Sequence, residues 1–460
     1  MKRPPNVEAF LFILLLLSGK LLFMKLVFTF FFVFAHHLLF CQSFTSFFIG
    51  DTADVDIDSH FGILLAGGAT DNDNAMTWFL NRANGGDVLV IRASGADGYN
   101  EYLFSDLGVE VNSVETIRFE SAAASEDPYV LQQIANAEAI FIAGGDQWNY
   151  ISYWKDTAVE VLLNEHVVNK QAVIGGTSAG MAVLGGHYFS AQNGTVYSED
   201  ALENPFMGNM TIGHWDFLML PFLEHVITDT HYDDPDRRGR HLAFLSRIYA
   251  DGYPLALGIA CNEYVATVID ENGVAYAYGE WPDYEEFVYF IRHGCQPEFI
   301  PEVCSPDQPL TWNRDEEATF VCRINATESG SNFFSLNDWM TWNGGDWQEW
   351  WVQDGIANFN EVSFGPTCPL EQVTQLAELK QGGTMVVPSL ADEFVMVRTK
   401  ADHLGAVWTL VEPSGKVVLH GKLTETAMRL DLSGFPNGMY FFECNHEIEK
   451  VVVAHHCCND

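Results

Sequence analysis

The chain has 460 residues, 48 % of them hydrophobic, which is enough for one large domain and a small one without covalent staples. It carries 62 acidic against 23 basic residues, a formal net charge of −39. A phosphate backbone repels such a surface, which excludes nucleic acid as a partner, and the even spread of the acidity reads as solubility, not as a disordered tail.

The first 41 residues read as an export leader. A basic start (Lys2, Arg3) precedes an apolar run at 10–17, and Met24-Lys25 restarts the pattern with a second run at 26–40. Met24 then reads as the true start, Lys25 as the charged n-region and 26–40 as the apolar h-region of a signal peptide. Neither run reaches the ~20 residues that span a bilayer; the two together would make an uncleaved anchor, which is the alternative. Phe40 stands before Cys41 where a lipoprotein signal wants a small residue, which disfavours lipid attachment. The expectation is a protein secreted or held at the cell surface, touching membrane only during export or by surface anchoring.

A catalytic-sized unit follows at 58–280. Residues 62–68 (GILLAGG), 88–94 (VLVIRAS), 139–145 (AIFIAGG) and 172–176 (AVIGG) read as buried parallel strands, because continuous apolar runs closed by glycine suit a sheet covered on both faces. Between them lie helical patterns. Asp71 is placed to cap a helix carrying Ala75, Met76, Phe79 and Leu80 on one face. Pro128 opens a second, with Leu131, Ile134 and Ala135, and 149–168 makes a third. The alternation predicts an α/β fold with an open, mostly parallel sheet. Ligands on such sheets sit at the carboxyl ends of strands, where both Gly144-Gly145 and Gly175-Gly176 fall.

Residues 281–375 change character. They are rich in aromatics, Asn, Asp and Gly, and six of the 12 tryptophans lie between Trp312 and Trp351. The expectation is a β-rich extension with its own aromatic core, in preference to an aromatic platform for sugars. Cys295, Cys304, Cys322 and Cys368 cluster here, and an exported protein permits three pairings among them. Residues 382–460 alternate apolar and polar positions at 394–397, 407–410 and 417–419, with turns at Pro413-Ser414-Gly415 and Pro436-Asn437-Gly438. That is the pattern of a small C-terminal β-sandwich. His455-His456-Cys457-Cys458 offers metal-ligand types, but four adjacent ligands wrap a tetrahedral ion poorly, so no metal is expected.

The chemistry concentrates at Gly175-Gly176-Thr177-Ser178-Ala179-Gly180. A serine on a strand-to-helix turn is held clear of its backbone, small neighbours admit substrate, and the next N–H faces the developing oxyanion. The alternative is an anion-binding or merely tight turn. His231, in Asp229-Thr230-His231, is the general base that such a serine needs. Arg237, Arg238 and Arg240 stand out in a chain this poor in cations, either to clamp a substrate carboxylate or to pair with nearby aspartates.

These segments, with Phe141-Ile142-Ala143-Gly144-Gly145-Asp146-Gln147, resemble the cyanophycinase family of serine exopeptidases, over roughly 61–270. The resemblance implies a class I glutamine amidotransferase-like fold and a peptide or isopeptide substrate, with no cofactor. It implies Ser178 as nucleophile and His231 as base. It implies oxyanion N–H groups from Gly145 or Asp146 with Ala179, and Gln147, Arg237 and Arg240 in the substrate pocket. The family carries an acidic residue between nucleophile and histidine; Glu199 is preferred there, with Asp200, Glu203 and Glu263 as alternatives. Departures stand at Pro235, where the family usually has another arginine, at Asp233-Asp234, and at Asn262-Glu263 in place of an Asp-Glu pair. They favour the chemistry over the particular polymer, a poly-aspartate bearing arginine side groups. Pro436-Asn437-Gly438, Met439-Tyr440 and Lys450-Val451-Val452-Val453 resemble the sorting domain of type IX secretion cargo, which implies that secretion machinery as a partner in a Bacteroidetes-like bacterium. A second class of function stays open: a non-catalytic surface binding protein that reuses the fold.

Overall fold

In the computed structural model, residues 42–370 are described without a break and the strands between 385 and 453 with short breaks. The leader at 1–41, Ser414, Asn437 and the 455–458 tract lie outside the described residues. Among the described residues no helix is long and apolar enough to cross a membrane.

In chain order the first half comprises β1 (Phe44–Gly50), β2 (Gly62–Ala66), α1 (Asp73–Arg82), β3 (Asp87–Arg92), β4 (Ser113–Phe119), α2 (Pro128–Asn136), β5 (Ala139–Ile142), α3 (Gln147–Trp154), α4 (Ala158–Val168) and β6 (Val173–Thr177). Next come β7 (His187–Phe189), α5 (Ser198–Glu203), β8 (Ile212–His214), β9 (Val226–Asp229), α6 (Arg238–Ala250), β10 (Leu257–Cys261), β11 (Ala266–Ile269) and β12 (Val274–Trp281). The extension adds β13 (Phe287–His293), β14 (Thr319–Asn325), β15 (Asn332–Ser335), β16 (Trp342–Asn343), β17 (Gly345–Gln353) and β18 (Ile356–Val362).

Two large sheets form. The first runs β1-β4-β3-β5-β6-β2-β11-β12-β15-β16, with β4, β3, β5, β6 and β2 parallel. All four strands expected from sequence lie in this parallel core. Alternate residues feed opposite faces: Ile63, Leu65, Ile140 and Ile174 join one apolar cluster, Leu64, Val90, Phe141 and Val173 the other. That two-sided burial is why these strands read as unbroken apolar runs. Two helix expectations need correction. The cap of α1 is Asn72, whose Oδ1 accepts from the N–H groups of Asn74 and Ala75 at 3.1 Å; Asp71 instead accepts the Tyr99 hydroxyl at 2.6 Å. The helix expected over 149–168 is two helices, broken at Asp156 in a left-handed conformation (φ 61°) and restarted by the Thr157 cap.

The second sheet runs β18-β17-β14-β13-β10-β9-β7-β8. Here β7, β9 and β10 are parallel and the rest antiparallel. The extension continues both sheets, since β15 and β16 lengthen the first and β13, β14, β17 and β18 the second. Its tryptophans therefore do not make a core of their own. Trp339 and Trp347 belong to the same apolar cluster as Leu65 and Ile259, and Trp312 and Trp350 to the same cluster as Leu242 and Phe244. Neither do they form an exposed platform: Trp312, Trp347 and Trp350 are all buried. Of the four clustered cysteines, Cys295 and Cys368 form the disulfide, while Cys304 and Cys322 are free thiols. The C-terminal unit stacks a three-stranded on a five-stranded sheet over a core that includes Val395, Val397, Trp408, Leu410 and Phe442.

Because the extension shares the cores of the α/β unit, damage there should be felt throughout. Trp350→Ala is expected to cost about 3–5 kcal/mol by removing a fully buried ring. Urea denaturation followed by circular dichroism and by tryptophan emission should show one coincident, shifted transition; two separated transitions would contradict the shared core.

Candidate active site

Ser178 begins where β6 ends. Its φ is +52°, a left-handed conformation that ordinary residues adopt only when the surroundings demand it. The demand is visible: the Ser178 N–H donates to the Ala66 carbonyl on β2 at 3.0 Å, and the Gly180 N–H closes a tight turn onto Thr177 at 2.8 Å. Gly180 permits the turn, since a Cβ there would stand 2.0 Å from the Ile142 carbonyl oxygen. The chain continues into a single 3₁₀ turn, Met181–Val183, and not the helix expected from sequence. The Thr228 hydroxyl, from β9, donates to Met181 O at 2.8 Å and ties the elbow to the second sheet.

His231 follows β9. Its N–H donates to Gly67 O at 2.8 Å, and its φ of 45° turns the ring toward the first sheet. Gly68, also left-handed (φ 111°), leaves room for that ring: a Cβ there would lie 2.5 Å from His231 Nε2. Ser178 Oγ is 2.8 Å from His231 Nε2, and His231 Nδ1 is 2.5 Å from Glu263 Oε1. A carboxylate only accepts, so Nδ1 carries the ring proton, Nε2 is the acceptor and the Ser178 hydroxyl donates to it. Glu263 is held in turn by the Asp233 carboxylate, which accepts its N–H at 2.9 Å.

The acidic partner of His231 is therefore Glu263, and the preference for Glu199 is corrected. Glu199 sits exposed on the first turn of α5, and no hydrogen bond links it to His231. Glu263 follows β10, the parallel neighbour of β9, so pairing in the sheet sets their carboxyl ends side by side. That adjacency was the signal that could have found it.

The arginines divide. Arg240 is buried and bound to Asp229 through Nε at 2.9 Å and through Nη2, while its Nη1 donates to Val196 O at 3.1 Å. Burial alone would raise the Asp229 carboxyl, but the Arg240 guanidinium outweighs it and holds that carboxyl below its ordinary value. Arg240 thus braces Asp229, and it also borders the cavity that Arg237 lines. Arg237 is different. Its Nε is buried without a hydrogen-bond partner among the described residues, and Asp229 lies no nearer than 3.9 Å. Burial, then the Arg240 charge, push the Arg237 guanidinium below its ordinary value, while Asp229 and Glu263 pull it back. A carboxylate ligand would answer that deficit. Arg238 pairs with Asp236 on the surface.

Arg237 lines a cavity of about 960 Å³, bounded also by Tyr197, Glu199, Asp236, Ile356 and Phe359. Gln147 does not line it; its amide donates to Phe189 O at 3.4 Å. Ser178, His231 and Glu263 are not among the residues that line this cavity, and the loop 143–146 borders Ser178. A Cβ on Gly144 would lie 3.6 Å from that of Ser178, whereas one on Gly145 would face the Tyr150 hydroxyl at 2.7 Å, so Gly144 is the glycine that borders the serine. The Asp146 carboxylate caps α3 by accepting the Trp148 N–H at 2.9 Å. The N–H of Ala179 meets no acceptor among the described residues. No group of His, Cys, Asp and Glu among the described residues is arranged to hold a metal ion.

Residues 65–274 match the model of Peptidase family S51. That match covers rather less than half of the chain, and it is to a family of serine-type peptidases. The matched stretch contains Ser178, His231 and Glu263 and ends at the start of β12, before the β-rich extension. Among curated proteins, the cyanophycinase of Geminocystis herdmanii is 27 % identical over 221 residues, covering 46 % of this chain and 74 % of the relative. That of Trichormus variabilis is 25 % identical over 221 residues, covering 46 % and 68 %. Among solved structures, a peptidase from an acI-B1 Actinobacterium is 14 % identical with a TM-score of 0.37, covering 50 % of this chain and 91 % of that one.

Two variants test how the peptidase domain builds this geometry. Gly68→Ala is expected to fold yet displace the His231 ring, lowering kcat/KM by about 100-fold, as misplacements near 1 Å do; circular dichroism and steady-state kinetics would read it. Arg240→Ala is expected to destabilise by about 3–5 kcal/mol because it strands a buried carboxylate. A urea midpoint equal to that of the unmodified protein would show Arg240 to be dispensable to the fold.

Proposed function

We propose that the chain is a secreted serine exopeptidase that cleaves acidic peptides or β-aspartyl isopeptides through Ser178, His231 and Glu263. The observation that carries the reading is the continuous relay from Ser178 Oγ through His231 to Glu263 on a strained elbow. Its resemblance to cyanophycinases supports the acidic substrate class.

In this reading Ser178 Oγ attacks the scissile carbonyl carbon while its proton passes to His231 Nε2. The carbonyl electron pair moves to oxygen and meets the Ala179 N–H, with a second donor from the loop at Gly144, Gly145 or Asp146. Glu263 stabilises the imidazolium and fixes its tautomer. When the pair returns, the C–N bond breaks and His231 protonates the leaving nitrogen. Water then loses a proton to His231 and attacks the acyl ester, releasing the acid and restoring the serine. Arg237 anchors a carboxylate of the substrate. No metal or cofactor enters these steps.

Ser178→Ala is expected to reduce kcat by about 10⁴-fold or more, and Glu263→Gln by about 10²–10⁴-fold, with the protein folded. Glu199→Gln should act on KM and not on kcat. A panel of α-aspartyl, β-aspartyl and cyanophycin-derived peptides read by mass spectrometry gives the substrate class. Full activity in Ser178→Ala would overturn the mechanism.

Export is part of the same proposal. The apolar run at 26–40 and the C-terminal sandwich support passage through the periplasm by type IX machinery. In a bacterium with that machinery, deleting 24–41 should hold the protein in the cytoplasm, and deleting 376–460 should hold it in the periplasm. Fractionation that finds both variants outside the cell would contradict this.

A further inference from the structure

The cavity that holds Arg237 has two walls of different origin. One is built by α5, the start of α6 and the segment before α5, within the matched peptidase domain; the other comes from Pro309 and the tip of the β17–β18 hairpin, outside it. The hairpin closes through the two-residue turn Asp354-Gly355, both with positive φ (49° and 78°), the geometry that matches the twist of paired strands. The tip is bolted in place. The Gly355 N–H donates to Leu310 O at 2.8 Å, the Leu310 N–H donates to Leu202 O on α5 at 2.8 Å, and Trp312 and Val352 exchange N–H···O bonds at 2.9 Å. Lower down, the Arg238 guanidinium sits 3.9 Å over the Phe359 ring and joins β18 to α6.

A wall held this firmly would ordinarily turn polar residues outward. Instead Ile356 is 67 % exposed at the tip and Tyr197 58 % exposed on the facing wall, both lining the same cavity. Glu199, Asp200 and Glu203 line it too, and none forms an ion pair among the described residues. Beside Arg237 the cavity thus offers exposed apolar surface and carboxylates without an ion-pair partner among the described residues.

We propose that the hairpin tip is a specificity element of the peptidase site. Ile356 and Tyr197 form a subsite for an apolar side chain, beside the acidic group that Arg237 anchors, and the uncompensated carboxylates of α5 exclude a second acidic side chain there. The inference rests on the assignment of Arg237 to the substrate. It reassigns the extension from a packing element to a selector of the residue next to the anchored acid.

The test compares Asp-Leu, Asp-Phe and Asp-Asp peptides, with α and β linkage, on the full chain and on Ile356→Ser and Tyr197→Ala. The unmodified enzyme should prefer Leu or Phe over Asp by about tenfold or more in kcat/KM, the scale that pocket contacts of this size provide. Each variant should lower that ratio by about fivefold while the rate of Ser178 labelling by a fluorophosphonate stays within about twofold. Calorimetric binding of the same peptides to Ser178→Ala reads the subsite without turnover. Failure of the catalytic reading therefore shows as absent labelling with the binding preference intact. A preference for Asp-Asp, a binding ratio near one, or ratios that move less than twofold in both variants would overturn the subsite.

Discussion

His231 reaches Ser178 only because Gly68 leaves the space beside its ring empty. The turn that contains Gly68 does more than make room. The Gly67 carbonyl accepts the His231 N–H from the second sheet, and the Gly68 carbonyl accepts the Tyr264 N–H at 3.0 Å, next to Glu263. One turn at the end of β2 thus fixes His231 and its carboxylate partner Glu263 against the sheet that ends in Ser178. A side chain at either glycine would collide, with His231 at Gly68 and with the Asn262 carbonyl at Gly67. The relay is assembled by backbone contacts between two sheets, and its side chains add the last hydrogen bonds to a geometry already set.

The charges around the relay follow from the same packing. Asp229 is the last residue of β9, two before His231, and it faces inward where no water can solvate it. Arg240, one turn into α6, neutralises it with two parallel hydrogen bonds, the strongest arrangement available to that pair. With Asp229 satisfied by Arg240, Arg237 is left partly desolvated and short of an anion. A buried pair and a partly desolvated arginine thus arise from one run of three arginines, separated by which of them the buried aspartate reaches closely.

The first sheet was legible because its strands are covered on both faces, so that burial shows as uninterrupted apolar runs ending in glycine at the functional edge. Ser178 and His231 were legible for a related reason: each sits just past such a run. Glu263 ranked below Glu199 because the choice turns on which strand ends are neighbours in space, and β9 and β10 pair across the whole length of α6. Which of the two alternatives Arg240 takes, a substrate clamp or a pair with an aspartate, could not be decided from the sequence either. A regular strand would place 229 and 231 on one face, but the left-handed turn at His231 breaks the alternation and sends the aspartate inward while the histidine turns to the serine. The extension misled for a different reason. Its tryptophans are abundant enough to suggest a core of their own, and no local pattern reveals that their strands complete sheets begun in the α/β unit.

That completion has a consequence for the chemistry. A loop added to a finished domain can move without disturbing the site, whereas strands added to both sheets cannot. The hairpin tip reaches the cavity at the end of β17 and β18, which connect through β14, β13 and β10 to β9, the strand that precedes His231. The wall of the cavity and the base of the relay are therefore parts of one hydrogen-bonded sheet, separated by neighbouring strands and not by a hinge. If the hairpin selects substrate as proposed, its position is therefore set by strand pairing, as a site built on rigid elements requires.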